Sequence, residues 1–163
     1  MADTTMLAFE NLIVDGFLDH IDWRDEGVPP HAVTVGERRE GHPRHFVATA
    51  TYPLVCVRVL GRMPMDDVGH QRRVVTSVRV ATVIQMDTGV EIDTVLRQET
   101  GKIVENILES DRLGMDWVTQ VQWPKIDYES DFERWLRSNA DPSGGVLTAS
   151  EADFPVDAYY VTD

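Results

Sequence analysis

The chain has 163 residues, 42% of them hydrophobic, enough for one globular domain with a real core and no need of disulfide staples. Asp plus Glu number 28 against 15 Lys plus Arg, a net charge of −13, and a field of that sign repels phosphate backbones, which disfavours a nucleic-acid binder. No apolar run approaches the length of a bilayer span, and Met1-Ala2-Asp3-Thr4-Thr5 lacks the basic start of a signal peptide, so the expectation is cytosolic synthesis and no membrane partner.

Only Lys102 and Lys125 among the cations are lysines; the rest are arginines. Two explanations of this acidic, Lys-poor composition stand side by side. A salt-loving host with a GC-rich genome produces it without any function attached. A conduit to which DNA must not adhere also requires it.

Along the chain, Met6, Leu7, Ile13, Val14, Phe17, Leu18 and Ile21 recur at helical spacing and predict an amphipathic helix from about Thr5 to Asp22. Gly27-Val28-Pro29-Pro30 ends it, because proline cannot continue a helix. A short strand, Ala32–Val35, and a polar loop, Glu37–His45, are expected next. The run Phe46–Leu60 is divided by Pro53 and reads as two strands or one bent strand. Gly61–Gly69 then reads as a mobile loop. Val74, Thr76, Val78, Val80, Thr82, Ile84 and Met86 alternate with Ser77, Arg79 and Gln85, the period of a strand with one covered face.

Asp87-Thr88-Gly89 follows that strand and resembles the catalytic triplet of retroviral-type aspartic proteases, which pair two Asp carboxylates from two subunits. Leu113-Gly114-Met115-Asp116-Trp117 adds a second echo. Such an enzyme needs more strands and a flap between the two segments. Here Ile92, Val95, Leu96, Ile103 and Ile107 form a helical stripe instead. Thr88-Gly89-Val90-Glu91 matches a capping box, with Thr88 and Glu91 as the helix N-cap pair, so a central helix over about 88–110 is the preferred reading and the protease the alternative.

Met115, Trp117, Thr119, Val121 and Trp123 alternate as a further strand stopped by Pro124. Phe132, Trp135 and Leu136 mark a short helix, Asp141–Gly145 a turn, and Val156, Ala158 and Tyr160 a last strand. The fold class expected is α+β, a mainly antiparallel sheet covered by the N-terminal and central helices, in a single domain spanning 1–163.

Other chemistry is thin. Cys56 sits in Leu54-Val55-Cys56-Val57 and reads as a buried small hydrophobe. His42-Pro43-Arg44-His45 has the spacing of a ligand pair, but its proline and loop setting give no rigid face. Asp66, Asp67 and His70 are close in sequence, as chance allows in so acidic a chain. No Gly-x-Ser-x-Gly elbow and no phosphate-cradling Gly-rich loop occurs, and the tryptophans are not interleaved with cations as base-stacking platforms are. The expectation is therefore no catalytic residue, no metal and no cofactor.

The order of features resembles the tail terminator (tail completion) proteins of long-tailed bacterial and archaeal viruses. The resemblance rests on Val28-Pro29-Pro30-His31-Ala32-Val33-Thr34-Val35-Gly36-Glu37 after an amphipathic helix, on His70-Gln71-Arg72-Arg73-Val74 through Met86 and the helix to Leu108, and on a closing strand Val156–Val161. Gly36–His45, Gly61–Arg73 and 128–152 look like additions to that pattern, the last an insertion or decoration. These departures keep a neighbouring neck or head-completion role open. The resemblance implies a structural virion protein, not an enzyme: a homo-oligomeric ring, a hexamer, on the tail tube. It would stop tube polymerisation, meet the head-completion or connector protein, and let DNA pass through its lumen unbound. Its place would be the virion tail or neck, after assembly in the host cytoplasm. Candidate ring, tube or connector contacts are Arg62, Met63, Met65, Arg72 and Arg73, methionine adapting well to imperfect partners; the bland reading of the same side chains is that they fold back on the sheet.

Overall fold

The structure, a computed structural model, describes residues 6–23, 27–69, 71–139 and 145–161. Helix α1 (Met6–His20) is followed by strand β1 (Glu37–Glu40), a 3-10 turn (Pro43–His45), strands β2 (Leu54–Val68) and β3 (Gln71–Met86), and helix α2 (Ile92–Leu108). Strands β4 (Val118–Val121) and β5 (Lys125–Asp127), helix α3 (Asp131–Asn139) and strand β6 (Val146–Val161) complete the α+β architecture. The sheet runs β1-β2-β3-β6-β4, with β5 also on β6; every pairing is antiparallel except β1 with β2. Among the described residues no helix is long and apolar enough to cross a membrane.

The β3–β6 pair is the spine, in unbroken register from Gln71↔Val161 to Met86↔Val146. Alternation then divides the sheet into two faces. Val74, Val78 and Val80 of β3, with Phe154, Val156 and Ala158 of β6, face Phe9, Ile13 and Phe17 of α1 and Ile103, Val104 and Ile107 of α2 in one buried cluster. The i, i+4 spacing of Phe9, Ile13 and Phe17 puts all three on one helical stripe, which is why α1 lies flat on the sheet. Phe17 meets Phe154 edge-on, ring centres 5.2 Å apart. Leu54, Cys56, Ala81, Val83 and Ala149 point the opposite way and are covered by Phe132 and Leu136 of α3. Thus α3 seals only one end of the second face.

Several expectations from the sequence are corrected. Residues 32–35 are not a strand; the first strand is the charged segment Glu37–Glu40, read above as part of a polar loop. Apolar alternation marks a covered face, whereas β1 is a short outer strand whose charges suit an exposed edge. It is seated where Gly36 N and Glu37 N both donate to Pro53 O, and a Cβ at Gly36 would lie 2.7 Å from Tyr52 O. Gly61–Val68 is not a loop but the outer half of β2, paired with β3 through bulges at Val59/Gly61 and Pro64/Asp67. Gly61 and Pro64 look like breakers, and the bulges are where an antiparallel ladder accommodates them.

The capping box at Thr88–Glu91 is also absent. Helix α2 starts at Ile92, and its N-cap Glu91 has φ 64° with no side-chain capping bond. An N-cap bond is instead made at Ser130-Asp131-Phe132-Glu133, where Ser130 Oγ accepts from Glu133 N at 3.1 Å while the Glu133 carboxylate pairs with Arg137. In the Met115–Trp123 stretch only Val118–Val121 is strand; Val118 is the buried member, and a bulge before Gln120 breaks the expected alternation. Within the 128–152 stretch, Asp131–Asn139 form α3 and Val146 opens the β6 spine. His70 and most of the expected turn, 141–144, lie outside the described residues.

Candidate functional site: a projecting hairpin and a charged sheet face

β1 pairs with β2 only from Leu54 to Val57, so beyond that point the outer edge of β2 has no strand partner among the described residues. The β2–β3 hairpin continues past it as an arm, with Leu60, Met63 and Met65 exposed, Met63 to 64%. The five residues expected as contacts all fall on this arm but differ in availability. Arg62 reaches α1 and pairs with Glu10. Arg73 grips buried Asp157 on β6, its Nε at 2.9 Å from Oδ1 and its Nη2 on Oδ2. Arg72 makes a loose surface pair with Asp67 at 3.6 Å, worth little in water. Arg62 and Arg73 therefore brace the arm, whereas Met63, Met65 and Arg72 face outward.

The end of the second sheet face that α3 leaves open carries charge. Arg58 and Arg79 are direct cross-strand neighbours, a like-charge pairing that needs compensation. Arg79 has it: its Nε and Nη2 donate to Asp153 Oδ1 and Oδ2 at 2.7 and 2.9 Å, a bidentate fork that holds the guanidinium pKa above its usual value. Glu151 Oε2 lies 3.0 Å from Arg79 Nε without hydrogen-bond geometry and 3.9 Å from Arg58 Nη2. Arg58 has no such fork among the described residues, only the 3.9 Å ion pair with Glu151. Its Nε is buried with no acceptor, and burial, then Arg79, lowers the guanidinium pKa.

The Pro43–His45 turn sits beside this cluster. His42 caps it, its Nδ1 accepting from Arg44 N at 3.2 Å, and its ring meets Phe132 edge-on at 5.5 Å. Burial first, then Arg58 and Arg44, pushes the His42 imidazole down to about 4, so it is neutral at pH 7. With Nδ1 accepting, the hydrogen is on Nε2. A groove of about 510 Å³ opens beside the turn, lined by Arg44, Val47, Tyr52, Trp135 and Leu147 among others.

The remaining sequence candidates do not come together. Asp87, Thr88 and Gly89 form an exposed bend between β3 and α2. His42 and His45 have ring centres 6.1 Å apart, and among the described residues no three His, Cys, Asp or Glu side chains gather as metal ligands. Cys56 is buried and its thiol is pushed up to about 12, chiefly by burial, which leaves it inert. Sequence reasoning missed the Arg58–Arg79–Glu151–Asp153 cluster. Its members are charged residues at strand positions opposite the apolar set, but only the register joins them. No protein-family model matches the chain, and no curated protein matches it significantly.

Proposed function

We propose that this chain is a ring-forming virion assembly protein of the tail terminator type, without catalytic activity. In this reading six copies cap the tail tube, end its polymerisation and present a face to the head connector, in the tail or neck of the particle. The observation that carries the proposal is the β2–β3 arm: a strand edge with no strand partner beyond Val57 among the described residues, bearing outward Met63 and Met65. Contiguous exposed apolar side chains on an unpaired edge suit a protein that is completed by other subunits. A closed ring uses head-to-tail contacts between two different patches of each copy, and the arm supplies one of them. Arg62–Glu10 and Arg73–Asp157 fix its direction, so that little is lost in ordering it on contact. The net charge of −13 per copy would line a channel through which DNA slides without sticking.

The test is the mass of the chain in solution, alone and with the tube protein of the same virus, by sedimentation. The proposal expects a closed oligomer, formed alone or on the tube protein. A chain that stays monomeric in both conditions is incompatible with it.

A further inference from the structure

We propose that the free edge of β2 in one copy adds to the outer edge of β4 and β5 in the next, so that one antiparallel sheet crosses the subunit boundary. The inference rests on the ring reading for its partner, a second copy, and supplies the patch that receives the arm.

The sheet ends in two edges beyond which no further strand lies among the described residues. One is β2 from Arg58 to Val68, past the end of β1. The other is β4 and β5, which follow one another along β6. Val118 pairs with Ala158, Gln122 N donates to Pro155 O at 2.9 Å, and Asp127 pairs with Glu151. The two edges lie at the same height. One row of the sheet runs Arg58↔Arg79↔Asp153↔Lys125, and another Pro64↔Val74↔Ala158↔Val118. They also run in opposite directions, because three antiparallel steps separate β2 from β4. Rotation about an axis along the strands preserves strand direction. A copy so related brings its β2 antiparallel to the β4–β5 edge of its neighbour, with backbone donors and acceptors facing each other.

The contact is staggered. At level height Ile126 and Asp127 would meet Val57 and Cys56, where β1 already sits, and Lys125 would face Arg58. Like charges directly opposite are unfavourable. A slide of two residues keeps every side chain on its own face, clears β1 and sets Asp127 opposite Arg58. A sheet that closes on itself requires such a stagger. The slide also brings Trp123, 72% exposed between β4 and β5, alongside Arg62 and Met63 of the arm. Charge agrees with this docking. Residues 58–65 hold Arg58 and Arg62 and no acid, whereas 116–129 hold Asp116, Asp127 and Glu129 against Lys125. In a chain of net charge −13, these are surfaces on which two copies attract rather than repel.

The experiment uses two full-length variants, each with one edge blocked by charge: Leu60→Glu/Met63→Glu on β2, and Gln120→Glu/Trp123→Glu on β4–β5. All four positions are exposed, so the fold is retained. Each variant alone should sediment as a monomer, associating at least tenfold more weakly than wild type. Their equimolar mixture should form a one-to-one dimer, since each supplies the edge that the other lacks. Hydrogen exchange on the wild type needs no variant: amides within 58–64 and 118–123 should slow at least tenfold on association. If the wild type assembles while the mixture stays monomeric, or assembles without slower exchange at these amides, the strand contact is overturned, the ring reading stands, and the arm is left to a strand of another protein. A wild type that stays monomeric both alone and with the tube protein overturns the two readings together.

Discussion

Asn106 of α2 holds His31 by both sides of its backbone: Oδ1 accepts from His31 N at 2.9 Å and Nδ2 donates to His31 O at 2.8 Å. The same Nδ2 donates to Ile21 O at 3.0 Å, and the Asn106 carbonyl accepts from Trp23 Nε1 at 2.9 Å. One fully buried amide therefore latches both ends of the segment after α1 onto the central helix. Asn106→Asp preserves shape and the acceptor but removes both donors, leaving two carbonyls facing a carboxylate. The expected loss is about 2–4 kcal/mol of unfolding free energy, measured by urea denaturation. A loss below about 0.5 kcal/mol would show that the latch is not made.

The backbone at Glu91 leads to a gain. A non-glycine residue at φ 64° carries left-handed strain of roughly 1–2 kcal/mol, and glycine relieves it at an entropic cost of about half that. Glu91→Gly should stabilise the chain by roughly 0.5–1 kcal/mol, while Glu91→Ala, equally strained, stays near neutral. If Glu91 instead closed a capping box with Thr88, both variants would lose about 1 kcal/mol.

His42 makes stability depend on pH with a definite sign. Its pKa falls from 6.5 unfolded to about 4 folded, so between these values the unfolded chain binds the extra proton. The contribution is fully present above pH 6.5 and is lost as pH falls towards 4. After allowance for partial exposure it amounts to roughly 1–2 kcal/mol. Asn at this position can still accept from the Arg44 amide without titrating. The difference in unfolding free energy between wild type and His42→Asn, taken at pH 7.5 and pH 4.5, should shrink or reverse at the lower pH. An unchanged difference would mean that His42 is not held neutral.

The arm separates assembly from stability. Met63 and Met65 are exposed in the isolated chain, so Met63→Ser/Met65→Ser should alter unfolding free energy by no more than about 0.5 kcal/mol per site. The same double variant should weaken self-association at least tenfold in sedimentation. Wild-type association by the variant would place the subunit contact elsewhere.

The legible parts of the fold were those in which one period ran undisturbed. Val74 to Val80 alternates buried with half-buried because β3 is central and its first face is covered by α1 and α2, and from Val80 to Ile84 both faces are buried; Phe9, Ile13 and Phe17 repeat by four because α1 touches the sheet along one stripe. Illegible parts had their local signal overridden by pairing. Gly61 and Pro64 look like a loop until the β3 partner absorbs them as bulges, and Glu37–Glu40 looks like a loop until Pro53 O fixes its start. Two box-like patterns, Thr88–Glu91 and Ser130–Glu133, are indistinguishable as strings. Only the second caps a helix, because Glu91 enters α2 in a left-handed conformation. For the candidate surfaces, Met63 and Met65 were visible as exposed methionines in an otherwise polar stretch. The Arg58–Arg79 cluster was not, because its members lie on β2, β3 and β6 and meet only through register.

We propose that copies of this chain close on the end of a tail tube. The decisive measurement is electron microscopy of tubes polymerised from the tube protein of the same virus, with and without the chain. The expected result is shorter tubes capped at one end by a ring, six-fold in end view, and no capping by Met63→Ser/Met65→Ser. Tubes of unchanged length with bare ends at saturating wild-type chain would contradict it.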